Sequence, residues 1–370
     1  MAKRTPLFEV HMALGASFTE FVGWDMPLRY RSEVLEHRAV RDCAGLFDLT
    51  HMGEVAVTGP GAGAALDYAL VGRPSAVPVG RARYSMICTD SGGVLDDLIV
   101  YHISREQFFI VANASNVQVV YGELVARSRD FAATVTDETA AWALVAVQGP
   151  ASASVLTAVS NLDVNTLKYY SVANGFVDSA MVRVARTGYT GEDGFEIFCK
   201  FSDAVHVWQA LMHAGAAWGI VPAGLAARDS LRLEAGMPLY GQELTEHTTP
   251  FDVGLGRVVA FGKPGGFVGE TALLAARDGG PTRALIGLRS DGHRSPRNGH
   301  DVVAPESGSV IGTVTSGCPS PTLGYPIAMA LVNMPDIEPG THLQVLVRGQ
   351  LEDVTVTTLP FYSRKGDRSC

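Results

Sequence analysis

The chain has 370 residues, 47% of them hydrophobic and 18% charged, enough for two or three domains with an ample core at roughly 150 residues each. Its net charge of −9 speaks against a nucleic-acid partner. Five scattered cysteines without a CxxC pair argue against a disulfide framework and for a reducing compartment, and no window approaches the ~20 apolar residues of a membrane span.

Behind the basic N-terminus there is no apolar leader core, so the expectation is a cytoplasmic or already processed chain with no membrane contact. Phe21 to Leu28 reads as a loop dense in aromatic, Gly and Pro residues. Arg31 to Asp42 reads as a helix capped by Ser32, with Leu35 and Ala39 on its apolar side. Arg29, Arg31, His37, Arg38 and Arg41 make that segment basic, either a solvated face or a dock for an anionic partner.

An internal echo follows. Glu54-Val55-Ala56-Val57-Thr58-Gly59-Pro60 and an Ala-rich helix reappear as Leu144-Val145-Ala146-Val147-Gln148-Gly149-Pro150 and a second helix, offset by 90 residues. The Gly59 to Gly63 glycines do not fit a dinucleotide fingerprint and read as a structural strand–helix turn. In Gly92-Gly93-Val94-Leu95-Asp96-Asp97-Leu98-Ile99-Val100-Tyr101, two acids interrupt an apolar strand. Successive strand residues point to opposite faces, so one acid lies with Val94, Leu98 and Val100, the other with Leu95, Ile99 and Tyr101. Either carboxylate sits among large apolar neighbours, where a fold keeps it because something binds there. The plainer alternative is an edge strand with both acids solvated or paired with Arg. Aligning Gly92 with Gly191 sets Asp97 opposite Glu196 and favours Asp97.

Phe108 to Asn113 reads as a strand and Ser115 to Ser128 as a helix capped by Ser115. Ala204 to Ala214 and Ala223 to Glu234 read as helices, the latter stopped by Gly236. After a Gly279-Gly280-Pro281 linker, short strands alternate with turns from Thr282 onward, the texture of a small all-β barrel or sandwich. No His/Cys/Asp cluster has metal-ligand spacing and no nucleophile elbow is present, which leaves carboxylates and arginines. Arg228 lies on a helix between Leu225 and Leu231, where a guanidinium needs a partner, protein or ligand. Asp97, Glu196 and Arg228 together would suit a flat heterocycle with N–H donors and a carbonyl.

Several blocks then match one family in order. They are Phe47-Asp48-Leu49-Thr50-His51-Met52-Gly53, Tyr84-Ser85-Met86, the Gly92 to Leu98 stretch, Thr187-Gly188-Tyr189-Thr190-Gly191-Glu192-Asp193-Gly194-Phe195-Glu196, the Gly224 to Gly236 helix and Ser320-Pro321-Thr322-Leu323-Gly324-Tyr325-Pro326. The chain resembles the aminomethyltransferases, the T-proteins of the glycine cleavage system, from end to end. The resemblance implies an α+β fold, a three-domain cloverleaf of two related ferredoxin-like α+β units and a C-terminal β-barrel. Its domains would be 1–51 plus 141–250, which binds folate, then 52–140, then 282–370. It implies tetrahydrofolate as co-substrate, a lipoyl arm supplied by a lipoylated H-protein, and no metal. The aminomethyl carbon would pass to tetrahydrofolate with release of ammonia. Asp97 would be the catalytic acid near the reactive folate nitrogens, and Glu196 and Arg228 would hold the pterin. Met52, Tyr84, Asn113 and Tyr189 would line the pocket, and Arg364 would reach in from the C-terminus. Arg257 stands where the family has Trp, and Cys318-Pro319 also departs from its pattern. Met237 to Glu243 lacks the Lys-Gly-Cys of the related iron–sulfur assembly proteins, and 370 residues leave no room for a flavin domain.

Overall fold

In the computed structural model, which describes residues 2–292, 294–333 and 337–364, the aromatic stretch near the N-terminus is a hairpin rather than a loop. Phe21 pairs with Trp24 across a tight turn in which Val22 and Gly23 take φ of 50° and 78°, the twist that suits two paired strands. Strand β1 (Lys3–Arg4), β2 (Ser17–Phe21) and β3 (Trp24–Arg29) form a small sheet in the order β1-β3-β2, with α1 (Phe8–Ala13) between the first two in sequence.

Helix α2 (Glu33–Asp42) starts after Ser32, whose side chain makes no capping hydrogen bond, and Leu35 is 60% exposed while the buried side carries Glu36, His37 and Val40. The reason lies in Glu36. The Glu36 carboxylate accepts hydrogen bonds from the backbone N–H groups of Tyr30, Arg31 and Gly224 at 2.8, 3.1 and 3.0 Å, which turns that side of the helix inward.

From β4 (Gly45–Asp48) the chain runs through β5 (Gly53–Thr58), α3 (Ala62–Ala69), β6 (Arg81–Cys88), β7 (Val94–Ser104), β8 (Gln107–Ala112), α4 (Val117–Arg127) and β9 (Thr134–Asp137). It repeats the series with β10 (Trp142–Gln148), α5 (Ser152–Thr157), β11 (Val172–Val177), β12 (Ala180–Ala185), β13 (Gly194–Lys200) and α6 (Ala204–Gly215), closing on β14 (Val221–Pro222). Helix α4 follows Asn116 rather than Ser115. The sheets have orders β6-β7-β8-β5-β9 and β11-β12-β13-β10-β4-β14. The echo is therefore structural, with β5 answering to β10 and β8 to β13. The two turns share a conformation, Gly59 at φ 114° and Gly149 at φ 127°, and a Cβ at either would lie 2.6 Å from a backbone carbonyl oxygen. That accounts for the glycines without any nucleotide.

The pairing of Asp97 with Glu196 does not survive. Ala56 and Ala146 are equivalent positions of the echo, and they face Phe109 and Glu196 across the ladder. The counterpart of Glu196 is thus Phe109, and Asp97 lies on β7, whose counterpart is β12. A glycine turn followed by an apolar strand is a local pattern that either hairpin satisfies, so it does not identify which strand of the sheet is meant.

The chain forms two compact units, Met1–Ala69, Arg73–Ser85 and Leu98–Asp229 in one, and Leu70–Gly72, Met86–Asp97 and Ser230–Cys370 in the other. In the first, β10 and β13 are near-continuous apolar runs because both faces of their sheet are covered. One face packs Leu46, Val145, Val147, Val184, Phe195 and Ile197 against Val155 and Leu156 of α5 and Val207, Trp208 and Leu211 of α6. The other meets the five-stranded sheet, where Phe198 stands edge-on to Tyr101 and Phe109 at 5.8 and 5.3 Å.

In the second unit the expected barrel is present and closed. Its strands are β15 (Ala284–Ser290), β16 (Asp301–Val303), β17 (Val310–Pro319), β18 (Pro326–Val332), β19 (His342–Val347) and β20 (Gln350–Thr357), in the order β15-β18-β17-β16-β19-β20. Alternate residues, among them Leu288, Val314, Ala330, Val345 and Val356, fill its interior. The sequence reading lacks β16, three residues long, and α8 (Glu270–Gly279). Helix α7 (Leu225–Glu234) ends at Gly236 with the expected stop: Gly236 N–H bonds Leu233 O and Met237 N–H bonds Arg232 O, both at 2.9 Å. Its last turn ties to the barrel, with Arg232 donating to Glu243 and Ser316 at 3.2 and 2.8 Å, and Glu234 accepting from Ser320 and Thr322.

Candidate functional site

The loop from Thr187 to Asp193 is folded around a buried amide. Gln148, at the end of β10, donates to Thr187 O at 3.1 Å and accepts from Thr190 Oγ1 at 2.9 Å. The loop backbone comes so close that a Cβ at Gly188 or Gly194 would lie 2.0 or 2.3 Å from Gln148 side-chain atoms. From outside, Arg41 donates to Thr190 O at 2.6 Å and to Glu192 at 2.9 Å, while Arg186 grips Asp193 through two nitrogens at 2.9 and 2.6 Å. Arg41 therefore belongs to this loop and His37 to the core, so of the basic cluster only Arg29, Arg31 and Arg38 are exposed.

This loop sets the surroundings of Glu196 on β13. Tyr101 Oη donates to Glu196 Oε2 at 3.1 Å, and Thr187 Oγ1 donates to the same oxygen. Among the described residues, Oε1 accepts no hydrogen bond. The half-buried carboxylate thus presents one unoccupied oxygen. On the other side of the loop, the Arg228 guanidinium of α7 lies over the Tyr189 ring at 4.7 Å, a cation–π contact that keeps the guanidinium plane ordered. His51 is buried near it, edge-on to Phe21 at 5.4 Å, and its Nδ1 has no partner among the described residues. Burial, and then the charge of Arg228, push the His51 imidazole down to about 4, so it is neutral near pH 7.

The turn carrying His51 and Met52 is anchored from below. Asp48 accepts from Thr5 Oγ1 at 2.6 Å and from Thr50 N–H at 2.9 Å, and pairs with His11 Nε2 at 2.9 Å, while Tyr30 Oη bonds His11 Nδ1 at 2.9 Å. Burial works to raise the Asp48 carboxyl, but His11, Thr5 and the Thr50 amide outweigh it and hold it low. Met52 is half-buried in that turn, Asn113 half-buried just past β8, and Tyr84 half-buried on β6.

Asp97 and Arg364 lie in the second unit. The turn before Asp97 is crossed by residues 245–248: Val94 N–H bonds Thr245 O and Thr248 O at 3.1 and 3.0 Å, and a Cβ on Gly93 would lie 1.9 Å from Glu246 O. Strand β7 lies between β6 and β8 in its sheet, and its register with β8 begins at Ile99, two residues past Asp97. Asp96 is fully buried and Asp97 half-buried, and Arg364 is half-buried at the end of the described chain.

Two family models cover the chain, the GCVT N-terminal domain over residues 7–263 and the glycine cleavage T-protein C-terminal barrel domain over residues 283–363. The chain is 56% identical over 362 residues to an aminomethyltransferase of Saccharopolyspora erythraea, covering 98% of each. It is 39% identical over 372 residues to that of Bacillus subtilis, covering 98% of this chain and 100% of the relative. The crystal structure of glycine cleavage system aminomethyltransferase T from Bartonella henselae superposes with a TM-score of 0.92 at 37% identity, over 98% of both chains. The chain belongs to the glycine cleavage T-protein family. Its activity is that of an aminomethyltransferase of glycine cleavage, a folate-dependent one-carbon transfer, and the family uses tetrahydrofolate as co-substrate. The fold is the family's mixed α+β arrangement with a six-stranded barrel at the C-terminus. Among the described residues, no cluster of three His, Cys, Asp or Glu side chains is placed to hold a metal ion, and no helix is long and apolar enough to cross a membrane.

Sequence reasoning missed Gln148, His51, Tyr101 and Thr187 as parts of this site. Thr187 and His51 stood inside the recognised blocks, and Tyr101 closed the stretch around the two acids. The partners of Gln148 and Tyr101, Thr187 and Glu196, are remote from them in sequence, and the fold brings each pair together.

Proposed function

We propose that this chain takes the aminomethyl carbon from the dihydrolipoyl arm of a lipoylated H-protein, transfers it to tetrahydrofolate and releases ammonia. The observation that carries this reading is the arrangement of Glu196, Arg228 and Tyr189: an acceptor oxygen left over on a half-buried carboxylate, and a guanidinium laid on an aromatic ring. A pterin offers N–H donors to the first and a carbonyl to the second, so these residues fit the group. Tetrahydrofolate supplies the nitrogens that accept the one-carbon unit.

The chain's own part is binding, orientation and charge. Glu196 and Arg228 would hold the pterin, with Met52, Tyr84, Asn113 and Tyr189 lining its pocket and Arg364 contributing from the C-terminal segment. Asp97 would orient the amine, take its proton and stabilise positive charge developing at the transferring carbon. Neutral His51 adds no second cation beside Arg228. The domain division 1–51 with 141–250, 52–140 and 282–370 is supported by the sheets, since the six-stranded sheet, the five-stranded sheet and the barrel each take their strands from one of those spans.

The test is ammonia release from aminomethylated H-protein by the purified protein, with and without tetrahydrofolate. Release that rises with added tetrahydrofolate is expected. Release indifferent to it would mean that the carbon goes elsewhere and would end the reading.

A further inference from the structure

We propose that Tyr101 is a positioning residue for folate binding, which, with Thr187, occupies one oxygen of Glu196 and leaves the other as the single acceptor for the pterin's N–H donors. The inference rests on the reading of Glu196 as a folate contact and deepens it. Tyr101 Oη and Thr187 Oγ1 each carry one proton, and each donates it to Oε2. Their mutual approach of 3.3 Å therefore holds no proton of its own. Oε2 has two lone-pair sites, and the two hydroxyls fill both. A ligand is left with Oε1, which accepts from no described residue. The contact is then through one oxygen, both neighbouring pterin donors converging on Oε1, rather than a two-oxygen fork.

The tyrosine is built to hold that geometry. It is fully buried on β7, paired in register with Phe109, and its ring meets Phe198 edge-on at 5.8 Å and 76°. With its ring so enclosed, the hydroxyl reaches Glu196 from one direction only. Burial, and then the Glu196 charge, push the phenol well above its usual range, so it stays an O–H donor wherever the protein is folded. Thr187 is fixed independently, since its carbonyl takes the Gln148 amide at 3.1 Å.

The test uses the full chain, with tetrahydrofolate binding measured alongside steady-state kinetics with H-protein. Tyr101→Phe keeps the ring and removes the donor. A hydrogen bond to a charged group is lost, and the expected result is folate affinity lower by about tenfold with kcat at saturating folate held within about twofold. A purely structural role would not split affinity from kcat in this way. Thr187→Val removes the other donor to the same oxygen and should act alike, which keeps the test open if Tyr101→Phe does not fold. Glu196→Gln separates the two claims. If it leaves folate affinity intact, the underlying reading of Glu196 fails. If it weakens binding while Tyr101→Phe and Thr187→Val keep the wild-type affinity, the positioning role is overturned.

Discussion

Replacing Glu54 with methionine should stabilise the protein, and the gain should grow with pH. Glu54 is the second residue of β5, 1% exposed, and among the described residues neither carboxyl oxygen has a hydrogen-bond partner. Burial, and then the charges of Asp137 and Glu138, push its carboxyl well above the ordinary range, so the folded protein carries it as the neutral acid. An unpaired buried polar group costs about 1–3 kcal/mol, and an apolar side chain of similar volume removes that cost. The pH dependence has a definite sign. The folded-state pKa lies above the unfolded one, so the native state keeps a proton that the unfolded chain has released. The stability this group contributes is whole below the unfolded carboxylate range. It falls at about 1.4 kcal/mol per pH unit as pH rises through the interval up to the folded pKa. Thermal unfolding of wild type, Glu54→Met and Glu54→Gln from about pH 5 to about pH 9 reads both effects. The methionine variant should have the higher Tm and the flatter profile, and the glutamine variant should flatten the profile with a smaller rise. A Glu54→Met Tm at or below wild type throughout, with the pH slope unchanged, would refute the reasoning.

Three further outcomes are expected. Asp97→Asn should keep folate affinity and lose about 10²–10⁴ in turnover, read by ammonia-release kinetics under folate titration, and unchanged turnover would remove Asp97 from the mechanism. Gly188→Ala places a methyl 2.0 Å from Gln148 and should cost about 1–3 kcal/mol in stability and weaken folate binding. Adding Gln148→Ala should recover part of that loss, and strict additivity in the double variant would show that the clash is not the cause. His51, with its imidazole lowered from 6.5 to about 4, makes its contribution above the unfolded value. That stability drains as pH falls from there toward 4, by roughly 3 kcal/mol in all. An imidazole resonance of His51 titrating near 6.5 by NMR would contradict this.

The sequence alone determined the elements whose causes are local. The apolar run of β10, the alternating strands of the barrel and the glycine stop after α7 are each written in residues a few positions apart. The ordered blocks that carry the family resemblance belong with them. Tertiary structure decided everything that depends on which strand lies beside which. It paired Ala146 with Glu196 and the equivalent Ala56 with Phe109, so that the apparent symmetry of Asp97 and Glu196 vanished. It turned Leu35 outward because a carboxylate one residue later gathers three backbone amides. It also brought the Tyr101 hydroxyl, from a different sheet, onto one oxygen of Glu196. A strand's pattern states which face is apolar and is silent about the neighbour it meets. That neighbour is set by register and by the stacking of layers, which only the folded chain contains.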